Sequence, residues 1–561
     1  MWSLIPTALA QTPAQSLQEL EAEIREAAPR EPSAPAEIPR ASITAPPGAD
    51  EIDLQLQSIA LVGRDGTPLA KDDRLPLDDL RGLYSDRLGA PATLADIYEI
   101  ARDIELSLKR DGFVFIRVLV PRQEIDQENA SVQILILGVT VEDVVIEEPG
   151  DPVGPVRRLI EKTVAPLKGI SNPRIQDLER ASLLATDIPG VTRATFVPSQ
   201  GSTADLLLLS LNVERDPFNA VAVVSHRDSP VIGPGVFGGV GFANSYTSFG
   251  ASTELAFFNS WSFEDFPDFD ERSTVQITQR AFLGTGTAFS IRGLYGRTAP
   301  GDTLDALDVT GDQFDLEFAV EHPFLRSRVL SVWGNAGFNL AENSVDVSEA
   351  LATLTDDSLR VFFAGARASF SDPYGDTIAD LTFRKGFEIL GASEEGDPDL
   401  SRVGAGGSFF LLRGEVAREQ PIWREVSAHA RVTGQYSPDR LLTNETISLG
   451  GSRYLKGYDP SEALGDSGFA AYGELRYTDQ LTLKGLDFGY QVYGFGDYGV
   501  VFTEDPGSFG TVDLMSTGAG VRVDVPSGPR LELELALPVT DELLRTGDRD
   551  VRVFGGMVWF F

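Results

Sequence analysis

Two short stretches near the C-terminal end gather the residue types that could do chemistry. One is Gly450-Gly451-Ser452-Arg453-Tyr454-Leu455-Lys456-Gly457-Tyr458-Asp459-Pro460, where a cation, Lys456, sits beside Gly457 in a run of glycines and aromatics. The other is Gly494-Phe495-Gly496-Asp497-Tyr498-Gly499. On a strand its Phe495, Asp497 and Gly499 share one face. The chemistry on offer is electrostatic: a slender loop carries Lys456 into a confined space, and Asp497 is the carboxylate expected to receive it. Leaving either ion unpaired in partly dehydrated surroundings is costly. The plainer reading makes the first stretch an ordinary turn. The second formally matches GxGxxG, but a dinucleotide site needs a strand–turn–helix unit around those glycines, and strand patterns flank these on both sides.

Other chemistries are short of parts. Cysteine is absent, which excludes a thiol nucleophile, a thiolate metal site and a disulfide framework. The 3 histidines, His226, His322 and His429, are scattered through strand-like segments and read as structural or lumen-facing. There is no Gly-Lys dipeptide for a phosphate-binding loop and no GxSxG elbow. No cofactor, metal or catalytic residue is expected. A formal charge of -37 argues against nucleic-acid binding, which needs basic surface to neutralise phosphates.

The elements that position these residues fall into three parts. Residues 1–50 hold Ala8-Leu9-Ala10, a possible signal remnant that lacks a charged n-region, then a helix over about 15–27 and a linker rich in Pro, Ala and Ser. Residues 51–138 read as strand, helices, strand, strand. The long helix LADIYEIARDIELSLKRDG points Ile97, Ile100, Ile104 and Leu106 or Leu108 inward and ends at Gly112, while FVFIRVLVP and ASVQILILG are the later strands. Residues 139–216 repeat that order, an internal repeat of supersecondary structure. Each unit is a small α+β sandwich with an open sheet edge.

From 217 to 561 helical patterns nearly vanish. Segments such as STVQITQRAFL, TIADLTFRKGFEI and RLELELALPV alternate with period two, and we count about sixteen, an even number as single-chain bacterial barrels require. Short turns (PFLRSR, SDPYGD, PSGPR) alternate with long polar stretches (GRTAPGDTLDALDVTGD, GASEEGDPDLSRV), the asymmetry of a membrane barrel. The chain ends VRVFGGMVWFF, with Val553, Met557, Trp559 and Phe561 on one face. Trp559 and Phe561 are candidates for an outer-membrane insertion signal.

On these residues the chain resembles the two-partner secretion transporters, the ShlB/FhaC/HecB family of haemolysin secretion/activation proteins, within the superfamily that contains BamA. Phe495, Asp497 and Gly499 match that family's Phe-x-Asp-x-Gly strand motif. Leu455, Lys456, Gly457 and Tyr458 match its Val-Arg-Gly-Phe/Tyr loop motif, except that Lys456 replaces arginine and gives up the planar fork; Arg453 is a second cation nearby. GDSGFAAYGELRY, with Glu474, and MSTGAGVRV also resemble the family's last strands.

The resemblance implies α+β periplasmic domains (two POTRA, 51–138 and 139–216) followed by a 16-stranded antiparallel transmembrane β-barrel in the outer membrane. It implies capture of an unfolded exoprotein, adhesin- or haemolysin-like, by the POTRA domains and export without nucleotide. The helix plugs the pore and the motif loop folds into the lumen. Further partners implied are outer-membrane lipid and, during biogenesis, the barrel assembly machinery. The alternatives are an assembly factor for other barrels, a passive porin and a surface lipase. Two POTRA domains and a plug favour secretion over assembly.

Overall fold

A computed structural model describes residues 12–27, 43–69, 74–147, 154–262, 271–283, 286–301, 308–347, 352–503 and 510–561. The candidate signal remnant and most of the linker lie outside the described residues. The chain divides into two compact units, Pro32–Asp216, and Met1–Glu31 together with Pro217–Phe561. In the second of these, helix α1 (Pro13–Ala27) joins the C-terminal unit.

The Pro32–Asp216 unit holds two small sheets. The first combines β1 (Asp53–Val62), helix α2 (Leu77–Gly82), β2 (Pro91–Thr93), helix α3 (Leu94–Arg110), β3 (Arg117–Leu119) and β4 (Ala130–Leu137), in sheet order β2-β1-β4-β3. Helix α3 begins where the Thr93 hydroxyl accepts the Asp96 N–H at 3.3 Å while the Asp96 carboxylate accepts the Thr93 N–H at 2.7 Å, a reciprocal capping box. Its Ile97, Ile100, Ile104 and Leu108 are buried against Leu54, Leu56, Val132, Ile134 and Ile136. Each such side chain contributes about 1.5–3 kcal/mol on burial. Leu108 is therefore the inward residue where the helical spacing left Leu106 open. FVFIRVLVP is not one strand: Phe113 and Ile116 are buried within a turn closed by the Ile116 N–H on the Phe113 carbonyl, and only Arg117–Leu119 joins the ladder.

The second sheet combines β5 (Thr140–Glu147), helices α4 (Arg157–Val164) and α5 (Ile175–Thr186), β6 (Val191–Gln200) and β7 (Leu206–Arg215), in order β5-β7-β6. In both sheets the first long strand runs parallel to the last and the intervening strand pairs antiparallel to the last. The internal repeat is thus one of topology.

The other unit is a closed barrel of sixteen strands, each antiparallel to its neighbours. They begin with β8 (Phe218–His226), β9 (Gly235–Ala243), β10 (Ser252–Trp261), β11 (Arg272–Phe282), β12 (Ala288–Thr298) and β13 (Val309–Leu325). Next come β14 (Leu330–Val347), β15 (Ala352–Asp372), β16 (Gly375–Gly386), β17 (Phe410–Trp423) and β18 (Val426–Tyr436). A two-stranded hairpin, β19 (Ile447–Leu449) and β20 (Ala463–Gly465), stands apart from the wall. The wall resumes with β21 (Ser467–Leu483), β22 (Leu486–Phe502), β23 (Thr511–Asp524), β24 (Arg530–Pro538) and β25 (Arg552–Phe560). Alternation sets the two faces. On β24, Leu531, Leu533, Leu535 and Leu537 are exposed outward while Glu534 and Ala536 are buried inward. On β11, Val275 and Ile277 face out and Arg272, Thr274 and Gln276 face in. Large apolar side chains on the outer face are what a lipid-facing wall requires.

One end of the barrel has tight turns, including Lys484-Gly485, where both residues have positive φ (53° and 80°) as a two-residue hairpin demands. The other end carries the long connections, among them 387–409 and 437–466. Closure joins β25 to β8 through five register pairs, Gly556↔Ser225 to Phe560↔Val221, against nine between β8 and β9. Reciprocal main-chain bonds between Phe561 and Ala220 (2.9 and 3.3 Å) extend this seam by one residue.

Candidate functional site in the barrel lumen

The 437–466 connection does not stay outside. Tyr454 to Glu462 are buried, Leu455 completely, and the segment lies against inward-facing side chains of β21 to β25. The glycines explain how it fits. A Cβ on Gly457 would come within 2.9 Å of the Leu537 and Pro538 backbone and of Ser516, so only glycine lets the loop lie flat on the wall. A Cβ on Gly499 would meet Leu455 at 3.0 Å and Leu449 at 3.1 Å, so the strand yields space to the loop at that point. Leu455 itself sits at φ 59°, a left-handed conformation strained for a bulky side chain.

The ion pair differs from the expected one. Lys456 and Asp497 meet, but through the main chain: the Lys456 N–H donates to Asp497 at 3.0 Å. Asp497 also accepts the Ser516 N–H at 3.1 Å and the Ser516 hydroxyl. With those donors engaged, the lysine stem runs on past β23, and Nζ pairs with Glu534 on β24 at 2.9 Å. The rings of Tyr472, Phe495 and Tyr493 surround Nζ at 5.2, 5.2 and 5.9 Å. Tyr493 donates its hydroxyl to the same Glu534 at 2.6 Å. A flexible ammonium threads such a cage more easily than a planar guanidinium does.

The neighbouring motif residues hold the rest of the loop. Arg453 pairs with Glu415 on β17, and the Tyr454 hydroxyl donates to the same carboxylate at 3.1 Å. Tyr458 shares a hydrogen bond with Thr540 at 3.1 Å, and Asp459 pairs with Arg552 and with Arg545 at 3.4 Å. Phe495 stacks on Tyr472, ring centres 5.8 Å apart. Burial, reinforced by Asp459, pushes the Glu462 carboxyl up to about 7 although the Leu544 N–H bonds it. At the seam Trp559 and Phe561 stack at 5.0 Å on the outer side of the barrel.

Sequence reasoning did not single out Glu534, Ser516, Glu415 or the two tyrosines of the aromatic cage, Tyr472 and Tyr493. The signal for Glu534 lies in RLELELALP, whose leucines and glutamates alternate and so must face opposite ways.

Helix α1 occupies the same lumen. Leu17 is 1% exposed and packs on the inward Val221, Val223, Val236, Val240, Ala256, Phe258 and Leu294. Its polar anchors are Ser16 on the fully buried Arg272, the Ala14 N–H on Gln313 at 2.9 Å, and Glu21 with Gln276 at 3.0 Å. Arg272 is in turn paired with Asp228 at 3.3 Å. A cavity of about 290 Å³ separates helix from loop, lined by Gln18, Arg292, Arg413, Glu415, Glu445 and Tyr454 among others.

The family model for haemolysin secretion/activation protein ShlB/FhaC/HecB matches residues 288–523, from β12 into β23. Residues 288–523 thus match the ShlB/FhaC/HecB family, and the barrel they form is similar to the outer-membrane transporters of two-partner secretion. The heme/hemopexin transporter protein HuxB of Haemophilus influenzae is 20% identical over 484 residues, covering 83% of this chain and 81% of its own. Among solved structures, CdiB from Escherichia coli superposes with a TM-score of 0.74 at 16% identity, covering 99% of this chain and 98% of its own. CdiB from Acinetobacter baumannii gives 0.65 at 15% identity over 98% and 97%. At such identities these two report the fold, and the fold they share runs through the N-terminal sheets as well as the barrel.

Proposed function

We propose that this protein exports an unfolded exoprotein across the outer membrane through the barrel lumen, without nucleotide. The two N-terminal sheets are POTRA-type domains that stand in the periplasm and receive the cargo. The observation that carries this reading is what fills the lumen: two segments, α1 and the 450–462 loop, are held by side-chain contacts and belong to no wall strand, so both can leave while the wall stays intact. The chamber between them, lined by carboxylates and arginines in near balance, is the route on this reading.

An extended cargo chain pairs with a free sheet edge through its main chain. The β4 edge beyond β3 is sealed, because the Gln123 carboxamide both donates to and accepts from the Gln133 backbone at 2.8 Å. The β5 edge is met by the 169–172 segment, with Val141 N–H on Ile170 at 3.0 Å and Gly169 N–H on Val141 at 2.9 Å. This favours the outer edge of β6, from Thr195 to Gln200, as the receiving edge. Trp559 and Phe561, at the closing strand, serve as the signal that the barrel assembly machinery reads. Lipid covers the outer wall.

The test is planar-bilayer conductance of the refolded protein with and without residues 12–27. Larger or steadier channels after deletion support a plugged export pore. Unchanged conductance from folded barrels counts against it. A second reading, a factor that inserts other barrels through an opened wall, is favoured by the short β8–β25 ladder. It predicts that a Val223→Cys/Val558→Cys crosslink across that seam stops function, whereas export through the lumen survives it.

A further inference from the structure

Glu534 lies between two cations from different parts of the barrel. Lys456 Nζ, from the loop, is 2.9 Å from one oxygen, and Arg227 is 2.6 Å from the other. Arg227 directly follows β8, whereas Glu534 belongs to β24. The contact therefore crosses the seam, passing over β25, whose Phe554 ring centre lies 4.2 Å from the guanidinium. The Glu534 side chain has no exposure (0%), and the Arg227 side chain only 11%.

A buried carboxylate that loses its sole counter-ion resists the loss strongly, since an unpaired interior charge remains. Here loop withdrawal removes one of two cations and leaves a matched pair. From this geometry we infer that Arg227 is a standing counter-ion: it lets Lys456 depart without orphaning Glu534. Once relieved of a second cation on the same carboxylate, it holds β8 to β24 more firmly. The wall is thus tightest when the lumen is open, which suits passage along the barrel and opposes escape sideways. Arg227 and Glu534 are positioning residues, acting through the loop and the seam. The inference rests on the reading that the loop leaves the lumen.

Because the chain has no cysteine, Ser452→Cys gives the loop a single thiol. Its labelling by a membrane-impermeant maleimide, in full-length protein in proteoliposomes, reports how often the loop leaves. Arg227→Gln should slow labelling about tenfold or more, because release now orphans Glu534. Arg227→Lys should stay near the parent rate. Arg227→Gln combined with Glu534→Gln should restore it, since no charge is left to orphan; an Arg227 that merely packs the seam gives no such rescue. Equal rates for Arg227→Gln and parent, or failure of the rescue, overturn the inference and leave loop movement standing. A thiol that never reacts, even in a Lys456→Met background, overturns loop movement and this inference together. Amide exchange across Gly556–Phe560 supplies a measurement that leaves Arg227 intact: Lys456→Met should slow it, and faster exchange contradicts the inference.

Discussion

Lys456 shows how one residue can be fixed by three different interactions: a main-chain bond to Asp497, an ion pair with Glu534 and a cage of rings. Removing the charge with Lys456→Met should weaken loop docking by about 2 kcal/mol, the worth of a hydrogen bond to a charged group and not the larger cost of an orphaned carboxylate, since Arg227 still neutralises Glu534. Asp497→Ala strips acceptors from the Lys456 and Ser516 amides and should impair secretion as much while the barrel stays inserted. Normal secretion by both variants would remove the loop from the mechanism. Glu462 adds a pH dependence. Its carboxyl titrates near 7 when the loop is docked, above the ordinary carboxylate range of the released loop. Docking therefore takes up a proton: the contribution is fully present below the released value and is lost as pH rises through about 7. Labelling of Ser452→Cys, divided by that of a freely exposed thiol at the same pH to remove the rise in thiolate, should accelerate between pH 5.5 and 8, and Glu462→Gln should flatten that corrected rise; the charges facing the group are Asp459 and Arg552. The motif glycines and Asp497 were legible because spacing on a strand fixes the face. The counter-ion was not, because which carboxylate a lysine reaches two strands away depends on register and on prior claims upon Asp497.

Among the elements, helix α3 is the most completely written in the sequence: a capping box, isoleucines at helical spacing and Gly112 at φ 94° past its end. Thr93→Ala should cost about 1 kcal/mol, read as faster amide exchange along Leu94–Arg110. The Asp96 carboxyl is held below its ordinary range by the bonds from Thr93, so this contribution is lost as pH falls through the acid range. Strand β3 was overread because a buried turn and a strand both present continuous apolar residues. The short α2 and β2 carry too few residues for any period to show. Helix α1 was legible as a helix too poor in apolar residues to fold alone, hence in need of a docking partner, and the family resemblance implied that it plugs the pore. That the partner is the inner wall near Leu17 depends on contacts distant in sequence. Leu17→Asp should free it and raise conductance nearly as much as deleting residues 12–27; an unchanged channel would show that the polar anchors alone suffice.

At the scale of the whole barrel, alternation revealed wall and lumen because lipid and water impose opposite demands on successive residues. Closure is less uniform than that pattern suggests. The β25–β8 ladder is short, and its exchange should be the fastest among the wall strands. Deleting Phe561 removes the reciprocal bonds with Ala220 and should lower the yield of assembled barrel, measured by heat-modifiable migration.

Helix α1 is covalently part of the barrel it occupies. On the proposed reading its return after each opening is a unimolecular event, governed by the local concentration that a connection running through the Pro32–Asp216 unit allows. A synthetic peptide of residues 12–27, offered to barrels lacking the helix, has to be supplied near that concentration to reproduce the block. On that reading the pore carries its own stopper at a fixed dose: cargo displaces it once the cargo concentration, relative to its own dissociation constant, exceeds the local helix concentration relative to the helix's, and the channel reseals when the cargo has gone.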